Sequence, residues 1–302
     1  MQDVLANPPH PAAPVPLLAG LGEIASRYDG LILDLWGVLH DGYRPFPGVV
    51  ECLERLNRDG KRLVVLSNAP RRAADAAARL GEIGIPQGLY HHVMTSGEEA
   101  WQHLARRDDP FYAALGRNCL HIRSPRDEGM LDGLDLRRVD SPAEADFILN
   151  TGPWGWEETV EHYEATLGEA CARGLPMVCA NPDLVVVHGG RPVICAGALA
   201  QRYEELGGRV RWHGKPYPSV YATCFELLGI ADRGRILAVG DSLRTDIAGA
   251  NRAGIDSLLI AGGIHAEEFG LAEGEIPDPA RLQATIARSA ARPTAAAARF
   301  MW

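Results

Sequence analysis

The stretch LILDLWGVL, residues 31–39, decides the fold of this 302-residue chain. Its apolar run ends in one carboxylate, Asp34, and Gly37 then opens a turn. A short run of this kind predicts a buried strand of a parallel sheet, although periodicity alone leaves a buried helix open. Ligands bind at the carboxyl ends of strands in open α/β sheets, so Asp34 is a candidate nucleophile or metal ligand. From this stretch alone, an aspartate that merely ends a strand and caps a turn is an equally good interpretation.

Composition limits the classes of protein to which this chain can belong. With 302 residues, 46% of them hydrophobic, it has enough apolar material for one large domain or two ordinary ones. The formal net charge of -9, without a dense block of Lys and Arg, argues against nucleic acid or an anionic membrane as a partner. The six cysteines include no C-x-x-C pair and predict reduced thiols in a cytoplasmic protein. We also expect no signal peptide and no transmembrane segment.

Apolar runs alternate with amphipathic helical segments, which indicates βαβ units and a parallel sheet. After the strand that ends at Asp34, strands are predicted at 62–68, 91–95, 118–122, 145–149, 176–180, 209–213, 235–241 and 257–260, with a hairpin across His188-Gly189-Gly190. We further expect an extended Pro-rich arm at 5–17, a short helix at 14–28, and one helix with a loose end after residue 278.

The middle of the chain changes character, and we interpret it as a second α/β unit inserted into the first. The predicted division is a core formed by residues 1–96 and 211–302, with the inserted unit at 97–210. On this interpretation the sheet of the core resumes with the strand that begins at Arg209, and the strand at 257–260 is its last.

Polar residues follow four of the predicted core strands at their carboxyl ends. They are Asp34, the pair Ser67 and Asn68, Lys215 just after its strand, and Asp241 with Asp246 one short turn later. In a parallel sheet these ends converge on one edge. Two or three carboxylates there would bind a hard cation such as Mg²⁺, and a lysine with a serine hydroxyl suits phosphate oxygens. Metal and lysine together would neutralise a transferring phosphoryl group, which leaves Asp34 free to attack phosphorus.

Several motifs resemble those of the haloacid dehalogenase (HAD) superfamily, specifically its subfamily IIA of NagD-like and p-nitrophenyl-phosphatase-like enzymes. They are DLWGVL at 34–39, VVLSN at 64–68, HGKP at 213–216 and VGDSLRTDI at 239–247, and NPD at 181–183 is similar to the cap segment of the subfamily. The resemblance spans residues 30–263 of the chain. It implies an α/β protein with a Rossmann-like HAD core, built on a parallel sheet, and an inserted α/β cap domain.

The same resemblance implies a hydrolase, namely a Mg²⁺-dependent phosphatase that acts on a small phosphorylated metabolite through an aspartyl-phosphate intermediate. Asp34 is then the nucleophile. Ser67 and Lys215 hold the phosphoryl group, and Asn68 contributes to substrate binding.

The resemblance also implies the metal ligands and the parts of the cap that select the substrate. Mg²⁺ is bound by Asp34, the backbone carbonyl of Trp36 and Asp241, with Asp246 in support. In the cap, Asn181 and Asp183 are candidates for substrate recognition, with turn formation as the alternative for both. Pairing of two copies through the cap is a further implication, while the substrate and the oligomeric state stay open.

Trp36 departs from the family pattern, which has an aspartate two residues after the nucleophile. In the family, that aspartate protonates the leaving oxygen and later activates water. An indole donates one N–H and exchanges no proton at neutral pH. Loss of a general acid–base costs a factor of about 10²–10⁴ in rate. The metal role of residue 36 uses only its backbone carbonyl, so the tryptophan leaves Mg²⁺ binding intact.

Three interpretations follow from Trp36. The preferred one is a phosphatase that has another acid–base or acts on a substrate whose leaving group needs little protonation. His40 and Asp41 are nearby substitutes, with an ordinary polar turn as the alternative for both. The second interpretation is a catalytically weak relative that binds or senses a phosphorylated metabolite. The third is a dehalogenase, which carries an aromatic residue here; Asp241 and Asp246 argue against it, because displacement of halide from carbon needs no divalent metal.

Overall fold

The computed structural model describes residues 13–188, 191–271 and 275–302, with the backbone alone described at residues 187 and 188. Residues 5–12 of the predicted Pro-rich arm lie outside the described residues. The two glycines of the predicted hairpin turn also lie outside them. From residue 13 onward the arm packs against the protein, since Val15 is buried in an apolar cluster with Leu282 and Ile286.

Strands and helices follow one another along the described part of the chain. The strands are β1 (Leu17–Leu18), β2 (Gly30–Leu33), β3 (Arg62–Ser67), β4 (His92–Thr95), β5 (Asn118–Ile122), β6 (Arg137–Val139), β7 (Phe147–Asn150), β8 (Pro176–Cys179), β9 (Val185–His188), β10 (Arg191–Ile194), β11 (Arg209–Trp212), β12 (Ile236–Gly240), β13 (Asp256–Ile260) and β14 (Ala295–Ala297). The α-helices are α1 (Val49–Arg58), α2 (Ala73–Glu82), α3 (Ser96–Arg106), α4 (Pro110–Ala113), α5 (Glu164–Ala172), α6 (Ala196–Glu205), α7 (Pro218–Leu228), α8 (Ala248–Ala253) and α9 (Pro279–Arg288). None of these helices combines the length and the apolar character that a bilayer crossing needs.

The first sheet has the strand order β1-β14-β13-β12-β2-β3-β4, and all its neighbouring strands run parallel. Successive residues of a strand face opposite sides of the sheet. Leu31 and Leu33 accordingly pack in one cluster with helix α1, whereas Ile32 packs in another with helices α7 and α8. The apolar run of residues 31–39 therefore begins with a strand that is buried on both faces near the middle of the sheet.

The register of the central strands decides what leaves the sheet at its carboxyl edge. Leu33 of β2 pairs with Val239 of β12 on one side and with Val65 of β3 on the other. Asp34 directly follows Leu33, and Ser67 and Asp241 each lie two residues beyond the partner of Leu33. These side chains therefore meet at one edge of the sheet, as the sequence predicts.

The second sheet is an insertion between β4 and β12. Its strand order is β11-β8-β7-β5-β6, again entirely parallel, and β9 and β10 form a separate antiparallel hairpin. The predicted α/β architecture with an inserted α/β unit is confirmed. The division into residues 1–96 with 211–302 and residues 97–210 stays a prediction.

One strand belongs to a different sheet from the one predicted. The sequence pattern places the strand at 209–212 in the first sheet, but β11 pairs with β8 of the second, with Trp212 opposite Cys179. The prediction is wrong because alternation of apolar and polar residues indicates that one face is covered and does not indicate which sheet lies alongside.

The C-terminal segment is also different from the prediction, because the strand at 257–260 is not the last and the described residues 275–302 include no loose end. Strand β14 lies between β13 and β1, and Phe300 is 1% exposed in the main apolar cluster. Three alanines have low β-propensity and no periodicity, so only their neighbours in the sheet make them a strand.

The expected helix at 14–28 is likewise absent from the described structure. Its place is taken by β1 and by two 3₁₀ turns, Leu21–Glu23 and Ala25–Arg27. Gly22 lies directly against the C-terminal residue, since a Cβ built there would be 2.6 Å from Nε1 of Trp302. The two ends of the described chain therefore pack on each other.

We predict that Phe300→Ala lowers the free energy of unfolding by about 3–5 kcal/mol, the usual cost of truncating a buried aromatic side chain. Met301→Ala is the control, because the neighbouring Met301 is 41% exposed. Denaturant unfolding of the two variants measures the difference. Equal stabilities of the two variants would show that the C-terminal segment is not part of the core.

Candidate active site

Three carboxylates converge at the carboxyl edge of the first sheet. Asp34 follows β2, Asp241 follows β12, and Asp246 lies in a π-helical turn, Leu243–Ile247, that leads into α8. One oxygen from each lies within 4.8 Å of the others, and the three residues are 9%, 6% and 3% exposed. Buried carboxylates at this spacing repel one another, and oxygen ligands of this kind suit a hard divalent cation.

Backbone N–H groups hold the carboxylates of Asp241 and Asp246, and the sheet ladder holds the backbone of Asp34. The N–H of Ile264 donates to Oδ2 of Asp241 over 2.8 Å, and that of Ser242 donates to Oδ2 of Asp246 over 3.1 Å. The backbone N–H of Asp34 continues the sheet ladder, because it donates to the carbonyl of Val239 over 2.9 Å. Each carboxylate therefore depends on the fold for its position.

Two glycines leave the space that Asp241 occupies. A Cβ at Gly37 would lie 2.0 Å from Oδ2 of Asp241, and a Cβ at Gly263 would lie 2.1 Å from the same oxygen. Gly37 also has φ of +81°, in the left-handed region that favours glycine. The glycine in the stretch 31–39 is therefore required both by its turn and by the carboxylate opposite.

Lys215 is the cation of the site. Its Nζ donates to Oδ1 of Asp34 in a short ion pair, to Oδ1 of Asp246 over 2.7 Å, and to the carbonyl of Leu66 over 3.1 Å. Lys215 is 3% exposed. One ammonium group among three carboxylates leaves a net negative charge, which a divalent cation would offset.

The pKa values follow from this imbalance. Burial raises the pKa of Asp34 to about 7, with a further rise from the Asp246 charge and an opposing effect of Lys215. Burial, with the charges of Asp34 and Asp246, holds the pKa of Asp241 well above its usual range. Burial disfavours the charged form of Lys215, but Asp246 and Asp34 outweigh it and raise the lysine pKa. The residues present therefore fit a divalent cation, which would restore the ionised carboxylates.

Asn68 and Ser67 lie at the end of β3, beside the lysine. The Asn68 amide accepts from the N–H of Lys215 over 2.8 Å and donates to the Lys215 carbonyl over 3.2 Å. Ser67 Oγ accepts from the N–H of Ala69 over 3.2 Å and is 9% exposed. Asn68 thus holds the lysine segment in place, and the Ser67 hydroxyl lies at the same sheet edge.

The inserted unit reaches the site through its residues 181–183. Oδ1 of Asp183 accepts from Nδ2 of Asn68 over 3.0 Å and from Nη2 of Arg244 over 3.3 Å. Oδ1 of Asn181 accepts from the N–H of Asp183 over 2.9 Å, so its side chain shapes the turn. Arg244 is a site residue that sequence reasoning missed. The sequence signal that could have identified Arg244 is its position between Asp241 and Asp246, the two carboxylates of that segment.

Trp36 projects from the turn after β2 and is 47% exposed. Its ring lies edge-on to His40 at 5.7 Å and packs over Gly42, where a Cβ would be 2.5 Å from the indole. His40 Nδ1 accepts from the N–H of Gly42, and burial lowers the pKa of His40 to about 4. Asp41 Oδ1 accepts from the N–H groups of Tyr43 and Arg44. These contacts favour the interpretation of His40 and Asp41 as turn residues.

Comparison with known proteins places this geometry in a family. A model described as haloacid dehalogenase-like hydrolase matches residues 31–137, and one described as HAD-hydrolase-like matches residues 212–288. Chronophin from Bos taurus is 30% identical over 83% of this chain and 86% of its own. The crystal structure of a haloacid dehalogenase-like family hydrolase from Brucella suis is 33% identical with a TM-score of 0.79, over 94% of this chain and 100% of that one. Glycerol phosphate phosphatase from Mycobacterium tuberculosis, in a crystal structure with magnesium, is 27% identical with a TM-score of 0.63, over 83% and 73% of the two chains.

We predict that Asp241→Asn stabilises the cation-free protein and abolishes its stabilisation by Mg²⁺. Because the folded-state pKa of Asp241 is raised, its ionised form costs stability as the pH rises above about 3.9, the unfolded value. Without divalent cations at pH 8, the variant should melt at least about 2 °C above the wild type, the shift that 1 kcal/mol produces in a protein of this size.

Thermal melts with and without millimolar Mg²⁺ measure both effects. Asp135→Asn is the control, since the Asp135 side chain is 77% exposed. Two results would contradict the charge imbalance described above. One is a melting temperature of Asp241→Asn below that of the wild type without Mg²⁺, and the other is a Mg²⁺-induced shift as large as that of the wild type.

Proposed function

The chain belongs to the haloacid dehalogenase-like hydrolases, and from that premise we propose that it is a Mg²⁺-dependent phosphatase of small phosphorylated metabolites. The observation that carries the proposal is the contact of Asp34 with Lys215 beside two further buried carboxylates. A nucleophile, a cation for phosphate oxygens and a metal site then share one sheet edge. The magnesium complex of the related glycerol phosphate phosphatase supports Mg²⁺ as the ion.

Asp34, Asp241 and the backbone carbonyl of Trp36 would hold the ion, with Asp246 in support. Mg²⁺ supplies charge neutralisation of phosphate oxygens, the main requirement of phosphoryl transfer. The cage fits the ion by chemistry, because all its donors are oxygens. Lys215 stays protonated between Asp34 and Asp246, so its ammonium group can also bind a phosphoryl oxygen.

Asp34 performs the covalent step. One carboxylate oxygen attacks phosphorus, a new O–P bond forms, and the bond from phosphorus to the leaving oxygen breaks with its electron pair on that oxygen. Lys215 and the Ser67 hydroxyl bind the equatorial phosphoryl oxygens. Water then hydrolyses the aspartyl phosphate and releases inorganic phosphate, which regenerates the Asp34 carboxylate.

Trp36 restricts which leaving groups are suitable. An indole cannot protonate a leaving oxygen, and the neighbouring His40 and Asp41 are engaged in their own turn. A substrate that leaves as a stable anion, such as an acyl phosphate, an aryl phosphate or an anhydride, needs little protonation. The exposed Trp36 ring is also the observation that favours a second candidate function, a catalytically weak relative that binds a phosphorylated metabolite.

The inserted unit, residues 97–210, is proposed to be the cap that selects the substrate. Asp183 accepts hydrogen bonds from Asn68 of the core and from Arg244. Asp183 is therefore the residue of the cap proposed to contact the substrate, whereas Asn181 shapes the turn that presents it. Pairing of two copies through the cap and a cytoplasmic location stay predictions.

We predict that Asp34→Asn lowers hydrolysis of p-nitrophenyl phosphate and acetyl phosphate by more than about 1,000-fold, since loss of a covalent nucleophile removes the main catalytic step. Release of phosphate in the presence of Mg²⁺ is the measurement, with Asp135→Asn as the control. The absence of turnover by the wild type across a broad panel of phosphates would contradict the enzyme and favour the binding protein.

We predict that Trp36→Asp raises hydrolysis of alkyl phosphates by about 10–100-fold, a part of the 10²–10⁴ that a positioned acid–base contributes. Trp36→Phe is the matched control, because phenylalanine, like tryptophan, has no group that can act as a general acid at neutral pH, and this variant should stay near the wild-type rate. The ratio of alkyl to aryl phosphate hydrolysis isolates leaving-group protonation. An unchanged ratio in a folded Trp36→Asp variant would show that Trp36 has only a packing role.

A further inference from the structure

A second group of metal-binding side chains lies where the chain passes between the two sheets. Glu99 and His103 are on helix α3, which begins directly after β4, and His213 directly follows β11. One ligand atom from each lies within 4.8 Å of the others. Glu99 and His213 are each 2% exposed, and His103 is half-buried. The group includes none of the three aspartates of the candidate active site.

Some of the polar atoms of this group are not satisfied by hydrogen bonds. Glu99 Oε1 and His103 Nδ1 are buried without a hydrogen-bond partner, and the buried Nδ1 of His213 faces the Glu99 carboxylate. A buried polar atom without a partner costs about 1–3 kcal/mol, and native proteins contain few of them. All three atoms are of ligand types on adjacent side chains, and one bound ion would satisfy them together.

The geometry suits a tetrahedral ion. Nδ1 of His213 lies 3.2 Å from Oε2 of Glu99. Two ligands bound at 2.0–2.1 Å to a tetrahedral centre lie about 3.3 Å apart, so this pair has the separation that zinc requires. Glu99 and His103 are four residues apart on one helix and therefore project from the same face.

Further contacts orient the ligands in the way that outer partners of metal sites do. The Tyr112 hydroxyl forms a short hydrogen bond with Nε2 of His213, which leaves Nδ1 of that ring directed towards Glu99. The N–H of Gly214 donates to Oε2 of Glu99 over 2.8 Å. Metal-bound histidines use their second nitrogen in this way, and metal-bound carboxylates accept such bonds.

We propose that Glu99, His103 and His213 supply three ligands to a site for a borderline divalent transition-metal ion, with Zn²⁺ as the representative. Two imidazoles and one carboxylate suit Zn²⁺, whereas the three aspartates at the sheet edge suit Mg²⁺. The ion ties the segment that leaves the first sheet to the segment that returns to it. It thereby fixes the backbone two residues before Lys215. The proposal does not depend on the phosphatase assignment.

Metal titration of the whole protein tests the site. The protein is freed of metals with a chelator, kept in excess Mg²⁺ so that the aspartate site is filled, and titrated with Zn²⁺ against a coloured competing chelator. We expect one tight equivalent, retained by Asp241→Asn. In His103→Ala the Kd should rise more than about 100-fold, because loss of even an outer partner costs about 10–100-fold. His92→Ala is the control, because His92 is a half-buried histidine of β4 outside the cluster. This variant should keep the wild-type affinity.

Replacement of Zn²⁺ by Co²⁺ identifies the donors independently of any variant. The wild type should show the visible bands of tetrahedral cobalt without thiolate charge-transfer bands in the near ultraviolet. Circular dichroism checks that His103→Ala is folded. If this variant is unfolded, the cobalt spectrum of the wild type alone decides whether the site exists. The absence of a tight equivalent in the wild type, equal affinities of His103→Ala and His92→Ala, or thiolate bands from the six cysteines would each overturn the proposal.

Discussion

Three buried carboxylates share a single buried ammonium group, and the rest of the structure depends on that charge imbalance. Lys215 contacts Asp34 and Asp246, while Asp241 is held through a backbone N–H. In a low-dielectric site such repulsion is tolerated only where the fold fixes each group and a ligand compensates the charge. The parallel sheet fixes the groups because β2 and β12 end side by side. A divalent cation and a phosphoryl group, one positive and one negative, are the complementary ligands.

The same constraint explains features that otherwise look unrelated. Gly37 and Gly263 leave room for one oxygen of Asp241, and the π-helical turn at Leu243–Ile247 carries Asp246 back towards Lys215. The side-chain amide of Asn68 accepts from the backbone N–H of Lys215 and donates to the Lys215 carbonyl. It also donates to Asp183 of the inserted unit. The site is therefore built by the core, and the insertion contacts it through Asp183. The cluster of Glu99, His103 and His213 lies where the insertion joins the core, and His213 is two residues before Lys215.

Much of this could be predicted from local sequence. The strand before Asp34 is a double-sided apolar run, helix α7 begins at a proline, and α8 is closed by Gly254. Convergence of the polar strand ends follows from parallel topology alone. Neighbours in space were harder to predict. Strand β11 was assigned to the wrong sheet, and the strand formed by the alanines of β14 was not predicted. A short sequence pattern does not encode which strands pair with each other. Two further features could not be predicted, because they depend on contacts between residues far apart in sequence. They are the site role of Arg244 and the cluster of Glu99, His103 and His213.

The most direct measurement is a crystal structure of the protein soaked with Mg²⁺ and beryllofluoride, which imitates a phosphoryl group bound to a carboxylate. The account predicts beryllofluoride on an oxygen of Asp34, contacts from Lys215 and Ser67 to its fluorines, and Mg²⁺ between Asp34 and Asp241. Beryllofluoride absent from Asp34, or a cation bound without both of these aspartates, would contradict the claim that the sheet edge holds phosphate and metal together for attack by Asp34.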